Sequence, residues 1–243
     1  MCGRYAITTP LEAMERLFNF EGQLINMPAR YNVAPTQDVP IVRIENNVRK
    51  LAIVRWGLVP HWAKEIPTSK PLINARSETI SEKASFRTAY RRQRCILIAD
   101  GFYEWKRTED QRLPFYAYPS DGGMFAMAGV WDVWKAPSGE ELQSVAIVTT
   151  EAKGLVSQIH HRMPVVIRQQ DIDTWLAPAL EDMTSVDRLL SASPADFFSL
   201  RPISSAVNKV ANDGPEILNE VDHSEMVSPA PATKKPDDQM SLF

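Results

Sequence analysis

RCILIAD (94–100) and FYEW (102–105) stand one glycine apart, and their reading decides the fold. Both are short and rich in β-branched or aromatic residues, the composition of strands. The same kind of run recurs on either side: VPIVRI (39–44), VRKLAIVRW (48–56), PFYAY (114–118), MFAMAGVWDVW (124–134), LQSVAIVTT (142–150) and MPVVIR (163–168). The turn formers ENN, DGG and PSGE separate several of them. TPLEAMERLFNF (9–20) breaks the pattern and predicts a helix. Thr9 is placed as N-cap, Pro10 suits the first helical position and Glu12 completes a capping box. Leu11, Met14, Leu17 and Phe18 then share one face. Helical segments are also expected near 151–158, 169–176 and 182–191, with a late strand at FSLRPIS (198–204). No internal repeat is present. The fold class expected is α+β: one domain, 1–221, with a β-barrel-like, mostly antiparallel core flanked by helices. From residue 222 the chain is polar and proline-rich (DHSEMVSPAPATKKPDDQ), which predicts a disordered tail over 222–243.

The chain has 243 residues, 44% hydrophobic and 23% charged, the balance of a soluble globular protein. That length buries a full core without staples. No apolar run approaches a membrane span and no signal-peptide pattern opens the chain, so a cytoplasmic protein is expected. Two cysteines cannot build a disulfide framework. Two Cys and four His, with no close Cys-x-x-Cys or His-x-x-x-His pair, argue against structural zinc, and neither metal nor cofactor is expected. Net charge is −3, but residues 212–243 alone carry −5, so the body is slightly basic. Six basic residues against two acids fall within 86–107. Such a cluster is either a solvated face or the footprint of a polyanion.

One of the two cysteines is Cys2, in MCGRY. A small residue at position 2 permits removal of the initiator methionine, leaving an N-terminal cysteine. Its α-amine and thiol have reference pKa values near 7.7–8.0 and 8.5, so both are partly nucleophilic at neutral pH. A 1,2-aminothiol has two uses: attack on a carbonyl by the thiol with the amine as base, or condensation with an aldehyde to a thiazolidine. A third reading is an incidental cysteine at a frayed end. RYNVAPTQ (30–37), LINARSET (72–79), ADGFYEWK (99–106) and IHHRMPVVI (159–167) place further polar groups beside turn formers or strand ends. Asn74 and Arg76 follow Leu72 and Ile73. Glu104 lies between Tyr103 and Trp105, and alternation turns it to the opposite face from both. A carboxyl against an apolar wall has a raised pKa and can donate a proton. His160 and His161 precede Arg162 and Pro164. Each is ordinary by itself; together they make a site if the fold gathers them.

MCGRY, YNVAP, RWGLVPHW, INARSET, DGFYEW and IHHRMP, in this order, resemble the SOS-response-associated peptidase family, also known as abasic-site-processing proteins. The similarity runs from residue 2 to about 220, including KVAND (209–213). The resemblance implies a single α+β domain with a barrel-like core and a basic cleft. It implies an enzyme that acts on abasic sites in single-stranded DNA, whose open form exposes an aldehyde. Carried over by motif, Cys2 forms the thiazolidine crosslink, Asn74 holds the sugar hydroxyl or the α-amine, and Glu104 moves protons in ring opening, closure and reversal. His160 assists the imine and its hydroxyl. Some β-elimination (lyase) activity is implied, and peptidase activity is reduced to release of Met1. The alternatives are a cysteine peptidase or amidohydrolase working through Cys2, and a non-covalent reader of modified DNA.

By the same resemblance Arg4, Arg76 and Arg162 are expected to bind phosphates, whose oxygens match guanidinium forks. Asn32 and Pro35 are expected to line the cleft. Trp62 is expected to stack on or wedge beside a base flanking the lesion, or else is a packed surface aromatic. Some members place two tryptophans in succession here, whereas Ala63 follows Trp62. Cys95, in an apolar run, is expected to be a buried small hydrophobe. The chain ends QMSLF (239–243), which resembles the bacterial sliding-clamp-binding motif. Gln239, Met240, Leu242 and Phe243 are therefore candidate clamp contacts on a flexible tether. A monomer is expected.

Overall fold

The computed structural model describes residues 2–21, 26–67, 70–178, 182–191 and 194–223. Met1, most of the expected tail and the QMSLF residues Gln239, Met240, Leu242 and Phe243 lie outside the described residues. The strands are β1 (Tyr5–Ile7), β2 (Arg30–Val33), β3 (Asp38–Glu45), β4 (Val48–Trp56), β5 (Asn74–Arg76), β6 (Arg94–Ala99), β7 (Gly101–Arg107), β8 (Arg112–Pro119), β9 (Phe125–Lys135), β10 (Glu141–Glu151), β11 (Arg162–Pro164), β12 (Val166–Ile167) and β13 (Phe198–Pro202). The helices are α1 (Leu11–Phe18), α2 (Arg87–Arg92), α3 (Ile172–Leu176) and α4 (Thr184–Leu189), joined by short 3-10 turns.

Five strands close on themselves in the order β4-β3-β6-β9-β10, with β10 returning to β4. The closing ladder, Ser144↔Arg55 and Val145↔Trp56, is parallel, and the other four are antiparallel. A second antiparallel sheet has the order β13-β8-β7-β1-β2. The fold is thus α+β and single-domain, with a barrel at its centre. Every residue of β6 is buried. One face fills the barrel; α3 covers the strand from outside, where the Trp175 indole N–H donates to the Cys95 carbonyl at 2.7 Å. Burial on both faces explains why residues 95–99, CILIA, are apolar throughout instead of alternating.

Between β6 and β7 the chain steps from the barrel to the second sheet. Gly101 makes this step because a Cβ there would lie 2.3 Å from the Tyr116 ring. Asp100 accepts hydrogen bonds from the Thr8 and Thr9 backbone N–H groups and from both threonine hydroxyls. It anchors the passage from β1 into α1, and this corrects the predicted cap. Thr9 is engaged by Asp100, and α1 begins after Pro10 without a side-chain cap. Leu11, Met14 and Phe18 are buried, while Leu17 is 40% exposed. An eight-residue helix would not persist in water; burial of those three side chains, roughly 1.5–3 kcal/mol each, holds it.

The remaining differences have local causes. MPVVIR divides into β11 and β12 because the segment changes partner at Val165. Its N–H donates to Val148 of β10, and its carbonyl accepts from Ala128 of β9. The segment 151–158 is the end of β10 followed by a 3-10 turn over Gly154–Gln158. β1, β2, β5 and α2 have no sequence counterpart, being too short for a period to show.

Candidate active site

Cys2 is fully buried. Its end of the chain is zipped onto β7: Tyr5 pairs with Phe102, Ala6 with Gly101, and the Tyr103 N–H donates to the Arg4 carbonyl at 2.9 Å. On the other side the Asn74 Nδ2 donates to the Cys2 carbonyl at 2.9 Å. Asn74 opens β5, held in parallel register with Ile147 of β10. The second polar atom of that amide, Oδ1, is buried with no partner among the described residues. It is an acceptor waiting beside Cys2 for an N–H or O–H group.

Glu104 sits on β7 opposite Phe115 of β8 and is buried. Tyr103 and Trp105 pack on the other face with Tyr116 and Ile203, as alternation requires. Burial, the largest influence, pushes the Glu104 carboxyl above its ordinary value. The Cys2 thiol is also pushed up, chiefly by burial and next by the charge of Glu104, which places the two groups in electrostatic contact. His160 approaches from the other side, its Nδ1 lying 3.7 Å from Glu104 Oε1. The Arg162 N–H donates to His160 Nδ1 at 3.0 Å. The same Nδ1 lies 3.2 Å from the Arg162 carbonyl oxygen, so the backbone of Arg162 fixes the position of the ring. The ring stacks on His161 with centroids 4.4 Å apart. Burial, assisted by neighbouring positive charge that includes Arg107, pulls the His160 pKa down to about 4. In an NMR titration the His160 imidazole should therefore stay neutral until about pH 4; a midpoint near 6.5 would refute this. Its folded pKa being depressed, this group's contribution to stability is intact above the ordinary histidine range and is lost as pH falls through the folded value.

Glu104 and His160 line a cleft of about 440 Å³ together with Ile73, Arg76, Trp105, Arg107, Arg112 and His161. Arg107 and Arg112 face each other across the β7–β8 hairpin. Like charges directly opposite destabilise a ladder, and Arg76, Arg107 and Arg112 are exposed with no ion pair among the described residues. Arg107 and Arg112 were not singled out from the sequence. The basic run 86–107 holds one of them, but only the hairpin register sets the two opposite each other, in the cleft that Arg76 also lines.

The other expected contacts sit differently. Arg4 donates through Nη1 to Asn32 Oδ1 at 2.6 Å and to the Val207 carbonyl at 2.9 Å. Asn32 is buried and its Nδ2 donates to the carbonyls of Val207, Lys209 and Asn212. This pair clamps the KVAND segment against β2 and buries the Asn32 amide there. Arg162 is buried, with Nη1 and Nη2 on the two carboxylate oxygens of Glu78 at 2.6 and 2.9 Å. In this state both Arg4 and Arg162 direct donors to protein acceptors. Pro35 is half-buried in the turn after β2. Trp62 is 56% exposed. Its loop is pinned on both sides: His61 N and Nδ1 meet Asp132 Oδ2 at 2.9 Å, and the Trp134 indole N–H donates to the Ala63 carbonyl at 2.7 Å. Cys95 is buried. Among the described residues no group of three or more His, Cys, Asp or Glu side chains is arranged to hold a metal ion.

Abasic site processing protein YoqW of Bacillus subtilis is 36% identical over 90% of this chain and 99% of its own. Abasic site processing protein HMCES of Mus musculus is 30% identical over 91% of this chain and 76% of its own. A crystal structure of a protein from Bacteroides thetaiotaomicron superposes with a TM-score of 0.81 at 26% identity, covering 90% of this chain and 100% of that one. The family model for SOS response associated peptidase (SRAP) matches residues 1–210, and the chain belongs to that family.

Proposed function

We propose that this protein recognises abasic sites in single-stranded DNA and, once Met1 is removed, bonds to them covalently through Cys2, shielding the lesion. The observation that carries this reading is the burial of Cys2 between Asn74 and Glu104, beside a cleft edged by arginines that form no ion pair among the described residues. The names of YoqW and HMCES support the lesion as target.

The chemistry follows from the groups present. The neutral α-amine of Cys2 adds to the C1′ aldehyde of the opened sugar. The carbinolamine loses its hydroxyl as water, with Glu104 as the proton donor, and leaves an imine. The thiol sulfur adds to the same carbon, its proton passing by way of the Glu104 carboxylate to the nitrogen, and the five-membered thiazolidine closes. Aldehyde, amine and thiol thus give ring plus one water. Asn74 Oδ1 accepts from the amine or the sugar hydroxyl, and neutral His160 donates to the departing hydroxyl. Reversal uses the same groups in the opposite order. Diversion of the imine through its acidic 2′ proton gives strand cleavage as a side reaction. Arg76, Arg107 and Arg112 hold phosphates at the mouth, and Trp62 stacks on a flanking base.

The test is a denaturing gel of Met-trimmed protein incubated with single-stranded DNA carrying one abasic site. A retarded band supports the reading. Binding without a covalent band would favour a reader, and cleavage of unrelated peptides without crosslinking a hydrolase. The terminal QMSLF is proposed to tether the domain to the sliding clamp where single strands are exposed. Deleting residues 239–243 should abolish capture of the clamp in a pull-down; undiminished capture would rule the tether out.

A further inference from the structure

Among the described residues a second basic groove, of about 470 Å³, lies outside the candidate active site and is lined by Ser81, Glu82, Arg87, Thr88, Arg91 and Arg92. It is built on α2. Ala89 and Tyr90 bury the inner face of that helix, the Tyr90 hydroxyl donating to Asp187 at 2.6 Å. Arg87, Arg91 and Arg92 are left exposed on the outer side. None of the three forms an ion pair among the described residues, although Glu82 borders the same groove.

The arrangement is electrostatically unfavourable as it stands. Arg87 and Arg91 are four residues apart, a like-charge spacing that costs a helix about 0.2–0.5 kcal/mol. Arg91 and Arg92 complement the negative end of the helix, but Arg87 stands in its first turn, where a cation is disfavoured. Among the described residues no ion pair offsets this clustering, whereas an anion bridging the three guanidinium forks would.

One continuous segment of chain also joins the groove to the cleft proposed to hold the DNA. Residues 76–92 carry Arg76 at the cleft and α2 at the groove, and the Arg162–Glu78 pair pins the turn between them. Trp62 reaches this segment, its indole N–H pointing to the Ala84 carbonyl at 3.4 Å. Ala84 lies between Glu82 and Arg87 in the chain, so the exposed tryptophan stands beside the segment that lines the groove.

We infer that the α2 groove binds the phosphodiester backbone of the DNA arm flanking the lesion, beyond Trp62. This rests on the DNA-binding reading above but not on the crosslinking chemistry. The groove lengthens the footprint without reading sequence, and it makes affinity depend on the length of the flank. Each phosphate neutralised contributes about 0.7 to the slope of log affinity against log salt for single strands, and about 0.9 for duplex.

The experiment compares the full chain with the variant Arg87→Ala/Arg91→Ala/Arg92→Ala. Fluorescence anisotropy over a salt series uses undamaged single strands of two lengths, one confined to the cleft and one extended on both sides, and a third DNA whose extension is duplex. The expected result is about tenfold weaker binding of an extended DNA and a salt slope lower by about two, with the short strand unaffected. Whichever extension shows the loss identifies the arm as single-stranded or duplex. Unchanged affinity and slope on both extended DNAs, or equal loss on the short strand, would overturn the inference. Crosslinking of a short abasic strand, measured in parallel, should be the same in both proteins. Failure of that band in the parent chain would count against the chemistry of Cys2 and leave the anisotropy comparison decisive for the groove.

Discussion

Cys2→Ala should eliminate the heat-stable crosslink to abasic single-stranded DNA while leaving an enzyme that still forms an imine. The trimmed variant keeps an α-amine at the same place, held by the pairing of β1 with β7. It lacks only the sulfur that converts the imine to a ring. The imine is hydrolysed on heating, so the band on a denaturing gel disappears unless borohydride has reduced it first. With closure blocked, the acidic 2′ proton is the remaining exit, and strand cleavage should rise. Cys2→Ser should behave similarly, the hydroxyl being a far weaker nucleophile than a thiol. A second arm retains the cysteine but adds an N-terminal extension that is not removed. The amine then becomes an amide nitrogen and both imine and crosslink should vanish. A heat-stable band surviving in Cys2→Ala would show that another residue carries the bond.

The second large effect is expected from Glu104→Gln. A positioned acid or base contributes about 10²–10⁴ in rate, so crosslink formation and reversal should each slow by about that factor, while affinity for the DNA changes by less than about twofold, since the arginines that meet phosphate are untouched. The pH dependence tests the role directly. Burial holds the Glu104 carboxyl above its ordinary value, so its acid form persists to higher pH than in an exposed glutamate. Steps that use the acid form slow as pH rises through that raised pKa, and Glu104→Gln should flatten this limb. Stability moves the other way. A group whose folded pKa is raised contributes most below its unfolded pKa, and the contribution is lost as pH rises through the folded pKa. Above the ordinary carboxyl range this group therefore carries a cost that glutamine removes, and the variant should melt higher than the parent. A slower but more stable protein is the signature of a catalytic carboxyl. Equal loss of binding with a normal crosslinking rate would defeat the assignment.

Legibility in the sequence followed the length of each signal. β4 spans Val48–Trp56, the run VRKLAIVRW itself, because nine residues of strand composition outweigh their neighbours. β1 and β5, of three residues each, were not legible. A three-residue strand exists only because a partner completes its ladder, and the partners of β1 lie about 25 and 95 residues away in the chain. Yet these two strands position Cys2 and Asn74.

Cys2, Asn74, Glu104 and His160 could be named as candidates from the sequence because reactivity is a property of the residue type and its near neighbours: a thiol at position 2, a carboxyl between two aromatics, an imidazole before Arg162. Strand-type runs and the α+β class were open to it for the same reason, since periodicity is local. Which guanidinium groups are available was decided only in three dimensions. Arg4, Arg76 and Arg162 look alike in the chain. Arg4 is engaged by Asn32 and Arg162 by Glu78, 28 and 84 residues away, while Arg76 is left open beside Arg107 and Arg112. A charge is quenched or presented by whatever the fold sets within about 4 Å of it, and that neighbourhood is settled by long-range strand pairing, which no local pattern records.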